Sequence, residues 1–158
     1  DPSELHQEEL GLSRAGFDRI EFLFAPNPGE PFKPLKAIAS SGEMARVMLA
    51  LKTVLATQDS IPILVFDEVD SNLGGETAGV VGKKMKQIGA NRQVLCITHL
   101  APVAAAGHRH YLVSKEVVEG RTLTRVTQLD GESRVKELTR MLGGGGAAAR
   151  QHAEELIS

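Results

Sequence analysis

Ile61-Pro62-Ile63-Leu64-Val65-Phe66 is an unbroken apolar run stopped by Asp67-Glu68. A run without polar alternation predicts a strand covered on both faces, as in a parallel α/β sheet. Pro62 is tolerable only among the first residues of such a strand. Ligands of open α/β sheets bind beyond the carboxyl ends of the strands. Adjacent acids at that edge can hold Mg²⁺ through water and orient or deprotonate an attacking water. The same pair also fits the start of an ordinary solvated turn.

The elements around this run follow from periodicity. Ile20–Phe24 alternates strong β-formers and predicts a strand; Ala25 to Pro31 is a loop, because three prolines there remove donors and fix φ. From Met44 the apolar residues Met44, Val47, Met48, Leu51, Val54 and Leu55 recur at helical spacing. Alanines at 45, 50 and 56 leave that helix apolar on most faces, which predicts substantial burial, with Ser40 and Ser41 as N-caps. After the turn Ser71–Gly75 comes a helix over about 76–88, then a buried strand Val94–Ile97 ending in Thr98-His99. A short Ala-rich helix has Pro102 in its first turn. Tyr111 to Gln128 reads as a hairpin about Glu119-Gly120, and Glu132–Leu142 and Ala147–Ile157 read as helices separated by Gly143–Gly146. Strands alternating with helices point to α/β architecture with a parallel sheet.

Composition narrows the function classes. The chain has 158 residues, enough for one domain or one lobe of a larger one. Only 4% of residues are aromatic and none is Trp, so the core is aliphatic. Net charge is −2 and no block of Lys or Arg occurs, so a basic nucleic-acid footprint is absent from this stretch. The one cysteine, Cys96, cannot form an internal disulfide or build a thiolate metal cluster, and suits a reducing cytoplasm. No apolar stretch approaches the length of a membrane span, so no membrane partner is expected. The opening Asp1-Pro2, without Met, reads as the start of a piece of a longer chain.

Two further features carry possible chemistry. Ser40-Ser41-Gly42-Glu43 opens the first long helix, where free N–H groups and a positive dipole end suit a phosphate. An ordinary capped helix fits the same residues. His99 follows a buried strand and can donate to, or sense, a terminal phosphate, though a lone His in that position is more often structural. His108 and His110 have no acidic neighbours in sequence and read as surface or packing residues.

Taken together, Ser-Ser-Gly-Glu before a helix, an apolar strand ending in Asp-Glu, and a strand ending in His follow one another at short, regular separations. This order resembles the second half of an ABC-type ATPase head: signature motif, Walker B strand, D-loop and switch histidine. Within that class, Asn27–Pro31, Ser40–Leu51, Val65–Gly75, Ile97–Ala106 and Glu137–Gly144 resemble the C-terminal segment of the RecN family of bacterial DNA-repair ATPases, relatives of the SMC and Rad50 proteins. The resemblance covers residues 17–158. It implies an α/β fold, the C-terminal lobe of an ABC/SMC-type P-loop head, with a mainly parallel sheet flanked by helices and residues 1–158 forming a single lobe. It implies ATP and Mg²⁺ as cofactors, with Asp67 holding Mg²⁺ through water and Glu68 as general base. Ser40, Ser41, Gly42 and Glu43 would contact ATP bound to a second head. Asp70, Ser71, Asn72, Leu73 and Gly74 would form the D-loop at the dimer interface, and His99 would contact the γ-phosphate in its own head. Implied partners are a Walker A lobe from the N-terminal part of the same protein, a second head, and DNA; the implied location is the cytoplasm, at the nucleoid. Two departures stand out: Ser41 occupies a position where the signature usually has Gly, and Gly74 one where the D-loop commonly ends in Asp.

No G-x-x-x-x-G-K-[ST] loop occurs in the chain. Gly82-Lys83 is followed by Lys84, has Thr77 where the first Gly belongs, and falls inside a predicted helix. The chain therefore reads as the signature-bearing lobe alone. A catalytically degenerate head acting as an interaction module remains open, with Ser41 its best support. Asp67-Glu68-Val69-Asp70 also resembles the D-E-x-D box of helicases, but the signature helix has no counterpart there.

Overall fold

The computed structural model describes residues 20–25, 27–37, 40–55 and 61–158. The chain divides into two compact units, Asp1–Ala39 and Ser40–Ser158.

In the first unit, β1 (Leu23–Phe24) pairs antiparallel with β2 (Lys33–Pro34). Between them Glu30 N donates to Asn27 O at 3.2 Å, and Asn27 Nδ2 donates to Glu30 Oε1 at 2.7 Å. The strand expected over Ile20–Phe24 thus shortens to two residues. Its partner supplies the reason: Pro34 has no N–H, and a 3-10 turn at Leu35–Ala37 takes the chain out of the ladder.

In the second unit, β3 (Ile63–Phe66) and β4 (Gln93–Cys96) run parallel, in register from Ile63↔Gln93 to Phe66↔Cys96. The helix α1 (Ser41–Val54) precedes β3, and α2 (Gly75–Gly89) crosses from β3 to β4. A short α3 (Ala101–Ala106) leads to the hairpin β5 (His110–Val118) and β6 (Arg121–Leu129). Glu119 and Gly120 have φ of 51° and 75°. Positive φ at both turn residues is what a two-residue hairpin with the right strand twist demands. The chain ends in α4 (Gly131–Met141), started by an Asp130–Ser133 capping box, and α5 (Ala147–Ile157).

One core joins Leu49 of α1, Leu64 and Phe66 of β3, Val69, the α2 stripe Ala78, Val81, Met85 and Ile88, and Val103 of α3. Each fully buried Val, Leu, Ile, Phe or Met contributes about 1.5–3 kcal/mol from removal of apolar surface from water. Gly82 lies in the α2 stripe because a Cβ there would stand 2.9 Å from Pro102 O and 3.0 Å from Ala106 Cβ, so α2 and α3 touch backbone to backbone. A second core packs Ala101, Ala104 and Ala105 of α3 against Val135, Leu138 and Ala153 of α4 and α5.

Three expectations need correction. The fold is α/β, but its described residues form three two-stranded sheets of which only β3–β4 is parallel, so the sheet is not mainly parallel. β3 is covered on one face only: Leu64 and Phe66 are buried, whereas Ile63 and Val65 are 51% and 63% exposed. The core helices lie on the Leu64 and Phe66 side, and among the described residues nothing covers the other. For the same reason α1 buries only Gly42 and Leu49, rather than most of its faces.

Candidate functional site

Parallel pairing brings the carboxyl ends of β3 and β4 side by side, where Ile97 N donates to Phe66 O at 2.9 Å. Everything singled out after those strands therefore falls at one sheet edge. Asp67 and Glu68 leave β3 exposed to solvent. Val69 and Asp70 then turn inward, at 0% and 1% exposure; Asn72 and Gly74 are exposed before α2, while Ser71 and Leu73 are half-buried, Leu73 against the core.

The turn is held from three sides. Ser71 N and Ser71 Oγ both donate to Glu68 O, at 3.0 and 2.8 Å. Arg46, from α1, donates through Nη1 to Ser71 O at 3.0 Å and to Val69 O at 3.3 Å. Asp70 reaches the end of β4: its Oδ2 accepts from the Thr98 hydroxyl and from His99 N at 3.1 Å. The His99 ring lies with Nδ1 3.4 Å from the same oxygen, and its side chain is 69% exposed.

Two residues of the turn are left-handed, Glu68 at φ 56° and Asn72 at φ 59°. Asn tolerates that region; Glu does so at a cost of about 1–3 kcal/mol, a strain found mostly at functional sites. The Glu68 carboxylate accepts a hydrogen bond from the Ser41 hydroxyl. Ser40 caps α1, its Oγ accepting from Glu43 N at 3.4 Å. Gly42 is buried against the turn: a Cβ there would lie 2.1 Å from Ser71 Oγ and 3.0 Å from Glu68 O. The helix tip and the acidic turn are thus one packed assembly, with Ser41 and Glu68 on its surface.

The electrostatics of this edge are anionic. Burial, reinforced by the charges of Asp70 and Asp67, pushes the Cys96 thiol up to about 12. Among the described residues no group of three or more His, Cys, Asp or Glu is arranged as a metal cage. Mg²⁺ needs none, because it is held through one or two carboxylates with water and phosphate completing its shell. The exposed Asp67 carboxylate at the strand end fits that mode.

Asp67, Glu68, Asp70 to Gly74 and His99 are brought together, with Ser40 to Glu43 packed beside them. His108 and His110 are not part of the group. Sequence periodicity missed Arg46 and Thr98. Arg46 sits off the apolar stripe of α1 and reads as solvated, and Thr98 gave no signal beyond its place before His99.

Comparison with known proteins bears on the fold and the family. No protein-family model matches the chain. The crystal structure of an Smc head domain with coiled coil and joint from Pyrococcus yayanosii superposes with a TM-score of 0.56 at 25% identity, over 75% of this chain and 25% of that one. The chain has the fold of part of an SMC-type ATPase head. It is 48% identical over 138 residues to the DNA repair protein RecN of Xylella fastidiosa, covering 87% of this chain and 25% of the relative. It is likewise 48% identical over 144 residues to RecN of Treponema pallidum, covering 90% and 25%. Across the residues it spans, the chain belongs to the RecN family of DNA repair proteins. It spans about a quarter of the length of the curated relatives it matches.

Proposed function

We propose that residues 1–158 form the signature-bearing, C-terminal lobe of an ATPase head that hydrolyses ATP only in a composite site, completed by a phosphate-binding loop from another segment. The observation that carries this reading is the convergence of Asp67, Glu68 and His99 where β3 and β4 end together. Bound there, Mg²⁺ would neutralise charge on the β- and γ-phosphates.

Each residue has a role in that reading. Asp67 would hold Mg²⁺ through water. Glu68, on an exposed left-handed turn, orients water and takes its proton, an effect typically worth 10²–10⁴ in rate. His99 presents its ring to the γ-phosphate of the same head. Ser40 to Glu43, with the free N–H groups of the α1 tip, reads the γ-phosphate of nucleotide on a second head. Ser71 to Gly74, rooted by Asp70, lie where two heads would meet, with Asn72 and Gly74 exposed. Nucleotide sandwiched between heads drives their dimerisation, and hydrolysis releases it. The whole serves DNA double-strand-break repair in the cytoplasm, at the nucleoid, with DNA as a further partner. No helix among the described residues is long and apolar enough to cross a membrane.

One observation favours a second reading, a head that binds partners without turnover: the Ser41 hydroxyl already occupies the Glu68 carboxylate. ATP hydrolysis measured with the complementary Walker A lobe supplied separates the two. Turnover abolished by Glu68→Gln supports the ATPase. No turnover in either protein supports the degenerate head, and undiminished turnover in Glu68→Gln removes Glu68 from its role.

A further inference from the structure

A carboxylate taken out of water costs several kcal/mol unless it is hydrogen-bonded or paired. Asp70 is 1% exposed and no Lys or Arg pairs with it among the described residues, whereas its neighbours Asp67 and Glu68 are solvated. Among the described residues the polar contacts of its carboxylate go to one place. Thr98 Oγ, His99 N and His99 Nδ1 address the same oxygen, Oδ2, the last at 3.4 Å. The Thr98 hydroxyl is itself fixed, because it accepts from Leu100 N at 3.0 Å while donating to Asp70. The backbone of His99 is therefore bonded to the same carboxylate oxygen that its ring approaches.

The chemistry of imidazole gives this arrangement a consequence. Which ring nitrogen carries the proton is set by the partner of the other one. A carboxylate facing Nδ1 selects the Nδ1–H form and fixes the ring's orientation, the logic of the Asp–His pair in hydrolytic triads. At 3.4 Å the Nδ1 contact is longer than a formed N–H···O bond, and such contacts tighten when a site is loaded.

We propose that Asp70 is a positioning residue: from its buried seat between the ends of β3 and β4 it holds the His99 ring with Nδ1 inward and Nε2 outward, toward the terminal phosphate of the nucleotide. This rests on the proposed ATPase role for His99 but concerns a residue which that reading had placed only in the dimer interface. Asp70 is 1% exposed, so in this role it acts through the ring of His99.

The first test needs no turnover. Nitrogen-15 NMR of the histidine-labelled chain, at a pH where the ring is neutral, reads the His99 tautomer directly. The proposal expects Nδ1–H in the unaltered chain and a shift toward Nε2–H in Asp70→Asn. Nε2–H in the unaltered chain overturns it, even if Asp70→Asn fails to fold. The second test is a double-mutant cycle on ATP turnover with the Walker A lobe supplied. Asp70→Asn is expected to lower kcat by about 10–100-fold, the usual cost of losing a partner that orients a histidine, with KM little changed. In a His99→Ala background the same substitution is expected to cost nothing more. Equal losses in both backgrounds overturn the proposal and make Asp70 merely structural. If the unaltered, complemented protein does not hydrolyse ATP, the ATPase reading fails and the tautomer alone decides the role of Asp70.

Discussion

The Ser41 hydroxyl donates to the Glu68 carboxylate, tying the first turn of α1 to the acid that ends β3. Both side chains are exposed, so the bond is one of the weaker kind, about 0.5–1.5 kcal/mol net. It nonetheless engages the group that, in the proposed mechanism, accepts a proton from water. Ser41→Ala is therefore expected to raise turnover of the complemented head by roughly 2–10-fold, the factor such a bond is worth, while changing unfolding free energy by under about 1 kcal/mol. Initial rates and urea titrations check both. A fall in turnover would mean that the hydroxyl places Glu68, or contacts nucleotide on the second head with the rest of the Ser40–Glu43 tip, rather than restraining the acid.

Close backbone approach at two glycines sets a second expectation. A methyl at Gly42 would lie 2.1 Å from Ser71 Oγ and 3.0 Å from Glu68 O, and one at Gly82 would lie 2.9 Å from Pro102 O. Gly42→Ala and Gly82→Ala should each destabilise by about 1–3 kcal/mol, the range for overpacking. Gly42→Ala should also lower turnover, since it pushes the α1 tip away from the acidic turn. Gly79, in the same helix as Gly82, has nothing within 4 Å of its virtual Cβ. Gly79→Ala should stabilise by up to about 1 kcal/mol through helix propensity. Denaturant melts of the three variants would show opposite signs.

Cys96 should be inert. Its thiol is pushed up to about 12, first by burial and then by Asp70 and Asp67, because a thiolate there would be poorly solvated and repelled. The thiolate is the reactive form, so labelling with a disulfide reagent should be slow at neutral pH and should still be climbing at about pH 10. A rate that levels off near the ordinary value of 9.0 would contradict the placement of Cys96 beside the two acids.

The hairpin side of the molecule carries a pH dependence. Burial, with a smaller push from Arg134, lowers the affinity of His110 for a proton below its ordinary value of 6.5, against an opposing pull from Glu137. As pH falls through 6.5 the unfolded chain takes up this proton before the folded one does. Protons then favour unfolding, and stability present above that pH is lost below it. Thermal melts should fall between about pH 7.5 and about pH 5.5, and His110→Gln should flatten the slope. An unchanged slope in the variant would assign it to another group.

Much of the frame was legible from residue pattern. Ser40 stands before a helical apolar period and does cap α1, and Glu119-Gly120 between β-rich runs does form the turn of a hairpin. Asp67, Glu68 and His99 were placed at strand ends, and the parallel register of those strands puts them at one edge. Coverage of the sheet was not legible. Ile63 and Val65 read as buried by their chemistry, yet whether they are depends on which elements pack on that face. Nor was the direction in which Asp70 points. A carboxylate in a turn looks the same in sequence whether solvated or buried, and only the spatial arrival of Thr98 and His99 distinguishes the two. Arg46 was overlooked for a related reason, since its reach to Val69 O and Ser71 O spans more than 20 positions of sequence.

The central claim is that this lobe carries the acids and the phosphate-reading helix but needs another segment to hold nucleotide. Calorimetric titration of Mg-ATP into residues 1–158, alone and with the Walker A lobe present, tests it most directly. The account predicts no saturable binding below about 1 mM, a level of about −4 kcal/mol, for the lobe alone, and tight binding once the second lobe is added. Tight, Mg-dependent binding by residues 1–158 alone would contradict it.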